Sequence, residues 1–223
     1  GNLDSCARQF YYENFSDGHW KDTSSIIQIE PKGEYAAIGI RNSFGLAVDP
    51  QTGYLWDTEN GPDVYDEINL VENKFNGGWA KIIGNINDAQ LPLISPYKDF
   101  VYSDPEFSWE LPIGITALDF AEGPLFSKYA GWLFVADSNN GNIYLLKLNK
   151  ERNGFEFQSE HLKDLTVNID PKNTYGNFHE EMSEIMFGTN FGLISDLKFG
   201  PDGSLYVVSL MEGTIYRIYP DFV

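Results

Sequence analysis

The sequence is poor in cysteine and in positive charge, and it lacks long apolar runs. Cys6 is the single cysteine, so an internal disulfide is excluded. Lys and Arg number 15 against 33 Asp and Glu, a formal net charge of −18. Like charges repel, which argues against nucleic acid or an anionic membrane surface as a partner. No apolar run approaches the roughly 18 residues of a membrane-spanning helix, so membrane insertion is not predicted. Zinc spacings, a phosphate loop and a Ser-His-Asp order are also missing.

The composition that remains is typical of a globular, all-β protein. The 223 residues are 42% hydrophobic and 15% aromatic, enough to bury a sizeable core in one large domain or two small ones. Short apolar or alternating runs separated by turn residues predict antiparallel strands. These predicted strands span 25–30, 35–40, 45–48, 54–57, 67–71, 115–120, 132–136, 142–148, 193–199, 204–209 and 214–218.

The order of these runs repeats along the chain. LAVDP from Leu46, LDF from Leu118 and LKFGPDG from Leu197 each lead into an aromatic strand, and GNIY from Gly141 returns as GTIY from Gly213. Radially repeated short strands are typical of a β-propeller, with a β-sandwich as the alternative. At propeller repeat lengths, the chain would supply about three to four four-stranded antiparallel blades.

The predicted partial propeller, 1–223, divides at its turn-rich stretches. The division is a loop over 1–24, a hairpin plus a site blade over 25–84, an inter-blade insertion over 85–112, a blade over 113–170, a loop over 171–190 and a blade over 191–223. Such a part-ring leaves blade edges open. We therefore expect either the C-terminal portion of a longer protein or a homodimer that covers the edges.

The stretch 41–79, RNSFGLAVDPQTGYLWDTENGPDVYDEINLVENKFNGGW, carries the chemistry. The successive carbonyls of Gly61 and Pro62 suit a hard cation such as calcium, which takes backbone oxygens readily. Arg41 and Asn42 offer a permanent cation and an amide to a planar anionic ligand. The alternative is an ordinary Gly-Pro turn with solvated acids around it.

This stretch resembles the signature of the soluble quinoprotein glucose/sorbosone dehydrogenases, also called aldose sugar dehydrogenases. The resemblance implies a six-bladed β-propeller that uses pyrroloquinoline quinone and calcium to oxidise the anomeric carbon of sugars, and a periplasmic or extracellular location. It implies quinone contacts at Arg41, Asn42, Asn60 and Thr116, carbonyl ligands of the quinone's calcium at Gly61 and Pro62, and ligands of a second, structural calcium at Glu67 and Gly77. Asp88 is a further candidate calcium ligand.

The chain also departs from the family pattern. Where the family carries a lysine and two arginines against the quinone, this chain reads DSNNG from Asp137 and LISD from Leu193. The family's general base is a histidine on an earlier blade, and His19, His161 and His179 do not lie in a matching motif. The expectation is part of a sugar dehydrogenase without its catalytic histidine blade. The alternatives are a noncatalytic calcium-binding propeller and a lactonase-like propeller.

Overall fold

The computed structural model describes residues 35–87, 89–94, 99–168 and 181–220. Contacts divide the chain into the units Gly1–Tyr35 and Ala36–Val223, and all that follows concerns the second unit. The predictions for the loop 1–24, the strand 25–30, His19, Asp88 and His179 lie outside the described residues.

The described residues form short strands joined by turns and short 3-10 helices. The strands are β1 (Ala37–Ile38), β2 (Ser43–Val48), β3 (Leu55–Glu59), β4 (Asp66–Val71), β5 (Phe75–Asn76), β6 (Val101–Tyr102), β7 (Phe107–Trp109), β8 (Ile115–Phe120), β9 (Leu133–Asp137), β10 (Ile143–Leu146), β11 (Thr166–Val167), β12 (Met186–Gly188), β13 (Ile194–Phe199), β14 (Leu205–Ser209) and β15 (Thr214–Ile218). The 3-10 helices are Leu91–Leu93, Ser127–Tyr129, Glu160–Leu162 and Met182–Glu184. Within the described ranges, no helix is long and apolar enough to cross a membrane.

Three larger sheets repeat one plan, in which neighbouring strands pair antiparallel, except that the outermost pair of the first sheet, β11 and β7, is parallel. The first sheet has the order β11-β7-β4-β3-β2, the second β12-β10-β9-β8 and the third β13-β14-β15. The fourth sheet is small, with the parallel order β1-β5-β6. The first strand of each larger sheet lies beside that of the next, since β8 contacts both β2 and β13. This repeated arrangement of antiparallel sheets is that of β-propeller blades, as the sequence predicts.

Two of the stretches predicted as insertion and loop contain strands of the larger sheets. The segment 85–112, expected as an inter-blade insertion, contains β7, which pairs with β4 in the first sheet. The expected loop 171–190 likewise contains β12, which pairs with β10 in the second sheet. Strands of three residues are too short to show a period of two, so the sequence pattern gives no signal for them.

The larger of two apolar clusters, the apolar core, lies between the first and second sheets, and the other lies between the second and third. Trp56, Ile68 and Trp109 share one face of the first sheet and are fully buried, and the Trp109 ring lies 5.3 Å from that of Tyr144 on β10. The inner strands approach closely at Gly45, where a Cβ would lie 2.5 Å from Leu118 Cδ2. A larger residue there would displace the side chains of Leu118 and Thr58, which favours glycine as the first residue of the GLAVDP sequence.

Candidate functional site

The structure brings Arg41, Asn42 and Asn60 together at the turn that follows β3. Arg41 Nη1 donates to Asn60 O at 2.6 Å, and the Asn60 amide donates to Asn42 O at 3.0 Å. The Asn60 side chain donates to Ile115 O at 2.7 Å, which ties the turn to the start of the second sheet. Three of the four predicted quinone-contacting residues thus form one hydrogen-bonded unit.

The Arg41 side chain is half-buried, and its guanidinium lies over an aromatic ring. Arg41 Cζ is 5.3 Å from the centroid of the Trp79 ring. Its backbone amide donates to Glu59 Oε1 at 2.6 Å. The guanidinium is therefore held at the turn by a carbonyl and a ring, which leaves a permanent positive charge beside the Gly61–Pro62 segment.

The Gly61–Pro62 turn is tight. A Cβ on Gly61 would lie 2.0 Å from the carbonyl oxygens of both Val64 and Tyr65, so the turn has room for glycine alone. Among the described residues, neither Gly61 O nor Pro62 O accepts a hydrogen bond. Backbone oxygens of this kind fit a calcium ion, because hard cations bind them in place of hydrogen-bond donors.

Asp66 holds this turn by hydrogen bonds to backbone amides. Its Oδ1 accepts from the Gly61 amide at 3.0 Å, and its Oδ2 accepts from the amides of Ile113 and Gly114 at 2.8 and 2.6 Å. Asp66 has no exposed surface. Burial raises the pKa of Asp66, and the amides that donate to it oppose this rise. From the sequence, Asp66 is one of several acids around the turn, and nothing in the DEINL run marks it as the residue that holds Gly61.

Four polar side chains form an acidic block on the face of the first sheet that is opposite the apolar core. Asp57 pairs with Asn69 and Glu59 with Glu67 across β3 and β4, so all four project from the same face. Each of them is at most 5% exposed. Asp57 Oδ1 and Glu59 Oε2 find no hydrogen-bond partner among the described residues.

The acidic block is short of compensating charge. Burial raises the pKa of Asp57 to about 6 and the pKa of Glu67 to about 7. Burial, reinforced by the negative charge of Glu67, raises the pKa of Glu59 to about 8. These carboxylates would be neutralised by protons or by a bound cation. In the described part of the chain, however, no group of three or more His, Cys, Asp or Glu side chains has the geometry to hold a metal.

The remaining predicted site residues have different hydrogen-bond partners. Glu67 accepts a hydrogen bond from the Gly84 amide, whereas the Gly77 amide donates to Ile38 O at 3.0 Å in the small sheet. Thr116 Oγ1 donates to Ile194 O at 2.8 Å and so links β8 to β13. Thr116 also lines a groove of about 440 Å³ along β2, β8 and β13. Their roles as calcium ligands and as a quinone contact stay predictions.

Asp137 and His161, which were considered from the sequence, have contacts that serve the fold. Asp137 is fully buried; its Oδ2 accepts from Tyr144 Oη at 2.6 Å and its Oδ1 from the Gly141 amide at 3.0 Å. Its charge is therefore directed into the second sheet and not towards a ligand. His161 lies in the EHLK run, which looks strand-like in the sequence, but it is exposed on the 3-10 helix Glu160–Leu162, where Ser159 caps the first turn.

Comparison with known proteins supplies a family and a fold. A family profile described as "Glucose / Sorbosone dehydrogenase" matches residues 17–217. The aldose sugar dehydrogenase YliI of Escherichia coli is 25% identical over 203 residues, which cover 89% of this chain and 47% of the relative. The chain thus spans about half the length of that relative.

Two solved aldose sugar dehydrogenases share this fold at lower identity. The apo form of the soluble aldose sugar dehydrogenase from Escherichia coli superposes with a TM-score of 0.52 at 22% identity, over 84% of this chain and 46% of the other. The PQQ-bound aldose sugar dehydrogenase from Streptomyces coelicolor gives a TM-score of 0.52 at 18% identity, over 89% and 48% of the two chains. At these identities the likeness establishes the propeller fold alone.

Proposed function

The chain belongs to the glucose/sorbosone dehydrogenase family, and from that premise we propose that it forms part of a sugar dehydrogenase that uses pyrroloquinoline quinone and calcium. The substrate would be an aldose, oxidised at its anomeric carbon. The observation that carries the proposal is the turn after β3, where a fixed guanidinium adjoins two carbonyl oxygens that accept no hydrogen bond among the described residues.

The chain's own residues have defined tasks in this proposal. Gly61 O and Pro62 O would bind calcium, and Arg41 would face an anionic group of the quinone. Asn42 and Asn60 would orient the same ligand, with Thr116 as a further contact from β8. When bound, the quinone supplies the hydride acceptor.

The proposal leaves the general base outside the turn. The residues gathered there are a guanidinium, amides and buried carboxylates, and none of them is a histidine. We expect the base on an earlier blade, as in the family. Glu67 and Gly77 would bind a second, structural calcium. The acidic block offers negative charge for it, since Asp57 Oδ1 and Glu59 Oε2 have no partner among the described residues. The family also suggests a periplasmic or extracellular location.

A noncatalytic calcium-binding propeller is the second candidate function, with a lactonase-like propeller as a further variant of it. The observation that favours it is the charge around the turn. Arg41 is the cation that the described residues bring to the turn, and Asp137 occupies a position where the family carries a lysine. Each missing charge-assisted hydrogen bond would weaken quinone binding by about 1.5 to 3 kcal/mol.

Quinone binding separates the two candidates. The purified chain would be titrated with pyrroloquinoline quinone in the presence of calcium, and the quinone absorbance followed, before dye reduction is measured with a panel of aldoses. We expect a spectral shift that Arg41→Gln abolishes and Arg217→Gln retains, because Arg217 pairs with Asp202 in the third sheet at 2.7 Å. A wild-type chain that shows no shift at any quinone concentration would leave the calcium-binding candidate.

A second copy of the chain is the protein partner that we propose. On β2, the side chains of Phe44, Leu46 and Val48 face away from the apolar core and are 60 to 63% exposed. Ile215 on β15 is 68% exposed. Such rows of apolar side chains on sheet edges favour burial against another surface. Size-exclusion chromatography with light scattering should give a dimer; a well-behaved monomer would count against it.

A further inference from the structure

We propose that Asp66 is a positioning residue: together with Arg41 it clamps the Asn60–Gly61 peptide group and so aims the two carbonyl oxygens that follow. The inference rests on the proposed function in one respect, because the carbonyls matter as ligands of calcium. Neither the family profile nor the sequence signature assigns a role to this carboxylate.

The clamp acts on the two ends of one planar unit. Arg41 Nη1 donates to the oxygen of the Asn60–Gly61 peptide at 2.6 Å, and the amide of the same peptide donates to Asp66 Oδ1 at 3.0 Å. Both hydrogen bonds involve an ionised side chain, the stronger kind of protein hydrogen bond. Because a peptide group is planar, fixing its oxygen and its hydrogen fixes the whole plane.

The other oxygen of Asp66 anchors the clamp to the second sheet. Asp66 Oδ2 accepts from the amides of Ile113, Gly114 and Ile115 at 2.8, 2.6 and 3.4 Å. The same segment receives the Asn60 side chain, which donates to Ile115 O. The turn is thus held against the start of β8, and its position does not depend on its own short loop.

Gly61 is the reason that the turn needs such a clamp. Only glycine fits, since a Cβ would lie 2.0 Å from two carbonyl oxygens. Glycine also has the widest range of backbone angles, so without restraint the carbonyls after it would sample many directions. Bonds on both sides of the preceding peptide fix the plane from which Gly61 and Pro62 continue. This narrows the range of carbonyl directions before a cation arrives, the preorganisation that metal ligands receive from outer hydrogen bonds.

Asp66→Asn is the sharpest test, because asparagine keeps the shape and one acceptor oxygen. Its amide nitrogen cannot accept the bonds that Asp66 receives from both segments. We expect faster hydrogen exchange in the peptide that covers Gly61, and a calcium dissociation constant, measured by calorimetry, raised about 10- to 100-fold. The matched control is Asp119→Asn, a largely buried carboxylate that accepts from Lys198 and from the Phe199 amide at the other end of β8; it should leave both quantities unchanged.

Both changes are required of the clamp. Unchanged exchange at Gly61 overturns the clamp, and faster exchange with unaltered calcium affinity overturns its role in aiming the carbonyls. A wild-type chain that binds no calcium removes the proposed function and the aiming role together, a result distinct from a failure confined to the variant. If Asp66→Asn does not fold, Arg41→Gln cuts the clamp at its half-buried end, and the same two readouts apply.

Discussion

The buried carboxylates of this molecule fall into two groups that differ in their partners. Asp49, Asp66 and Asp137 have no exposed surface, and each accepts several hydrogen bonds. Asp49 and Asp66 accept them from distant segments, and Asp137 accepts them within its own hairpin. Asp57 and Glu59 in the acidic block are nearly as deeply buried, yet each has an oxygen without a partner among the described residues. The first group stabilises the fold, whereas the second lowers its stability unless protons or a cation neutralise it.

Asp49 and Arg152 show what full pairing achieves. Arg152 Nε and Nη2 donate to the two Asp49 oxygens at 2.6 and 2.8 Å, although the residues are 103 positions apart. Burial would raise the pKa of Asp49, but its hydrogen bonds from Arg152, Gln51 and Thr52 hold that pKa below its ordinary value. The pair therefore stabilises the fold above the unfolded-state pKa, and this contribution is lost as the pH falls through the folded-state pKa.

The largest expected effect is the loss of this pair. Arg152→Ala leaves the carboxylate of Asp49 buried and unpaired, and should lower the free energy of unfolding by about 3 to 5 kcal/mol. Urea denaturation at pH 7 measures the loss. The control is Lys147→Ala, which breaks a pair with Glu156 whose side chains are 45% and 43% exposed, and should cost at most about 1 kcal/mol. Equal losses in the two variants would contradict the distinction.

The difference between the two groups also explains what the sequence could reveal. Strands β2, β3, β4, β8, β9 and β10 were predictable because alternation and turn residues are local signals. The stretch 41–79 placed Arg41, Asn42 and Asn60 at one site. The bond between Asp49 and Arg152 was not visible, because nothing local marks two residues 103 positions apart as partners.

Asp66 and Asp57 illustrate the same limit within one motif. In the sequence, both are acids near a Gly-Pro turn, for which solvation is the usual explanation. In the structure, Asp66 receives four backbone amides and Asp57 keeps an unpartnered oxygen. What separates them is the course of the backbone in residues 113–115, which the local pattern around either acid does not encode.

An effect of intermediate size is expected at Glu106, whose properties are intermediate between those of the two groups. The Leu70 amide donates to its carboxylate, but burial raises the pKa of Glu106 from 4.5 to about 8. Between these values the folded chain binds the proton more tightly than the unfolded chain, so stability falls as the pH rises. Glu106→Gln keeps an acceptor for Leu70 and removes the charge.

The Glu106→Gln variant should therefore be more stable than wild type by on the order of 2 kcal/mol at pH 8.5, with little difference at pH 4.5. Paired urea titrations at the two pH values measure this. Comparison of variant with wild type at each pH removes most of the contribution of the net charge of −18, which both chains nearly share. A difference that is the same at both pH values would show that the charge of Glu106 is not responsible.

The smallest effect is expected at Asp57, and its direction is the informative part. Removing a paired buried carboxylate destabilises a protein, but Asp57 has an oxygen without a partner and pairs across the sheet with an amide, Asn69. Because burial raises the pKa of Asp57 to about 6, the residue is mostly ionised at pH 7.5. Asp57→Asn should then raise the free energy of unfolding by about 1 kcal/mol in the presence of a chelator, as measured by urea denaturation.

Asp137→Asn should lower the free energy of unfolding under the same conditions, because Tyr144 and Gly141 would lose their charged acceptor. If both variants are destabilised alike in chelator, the acidic block is as well satisfied as the paired group, and its cost to the fold is refuted.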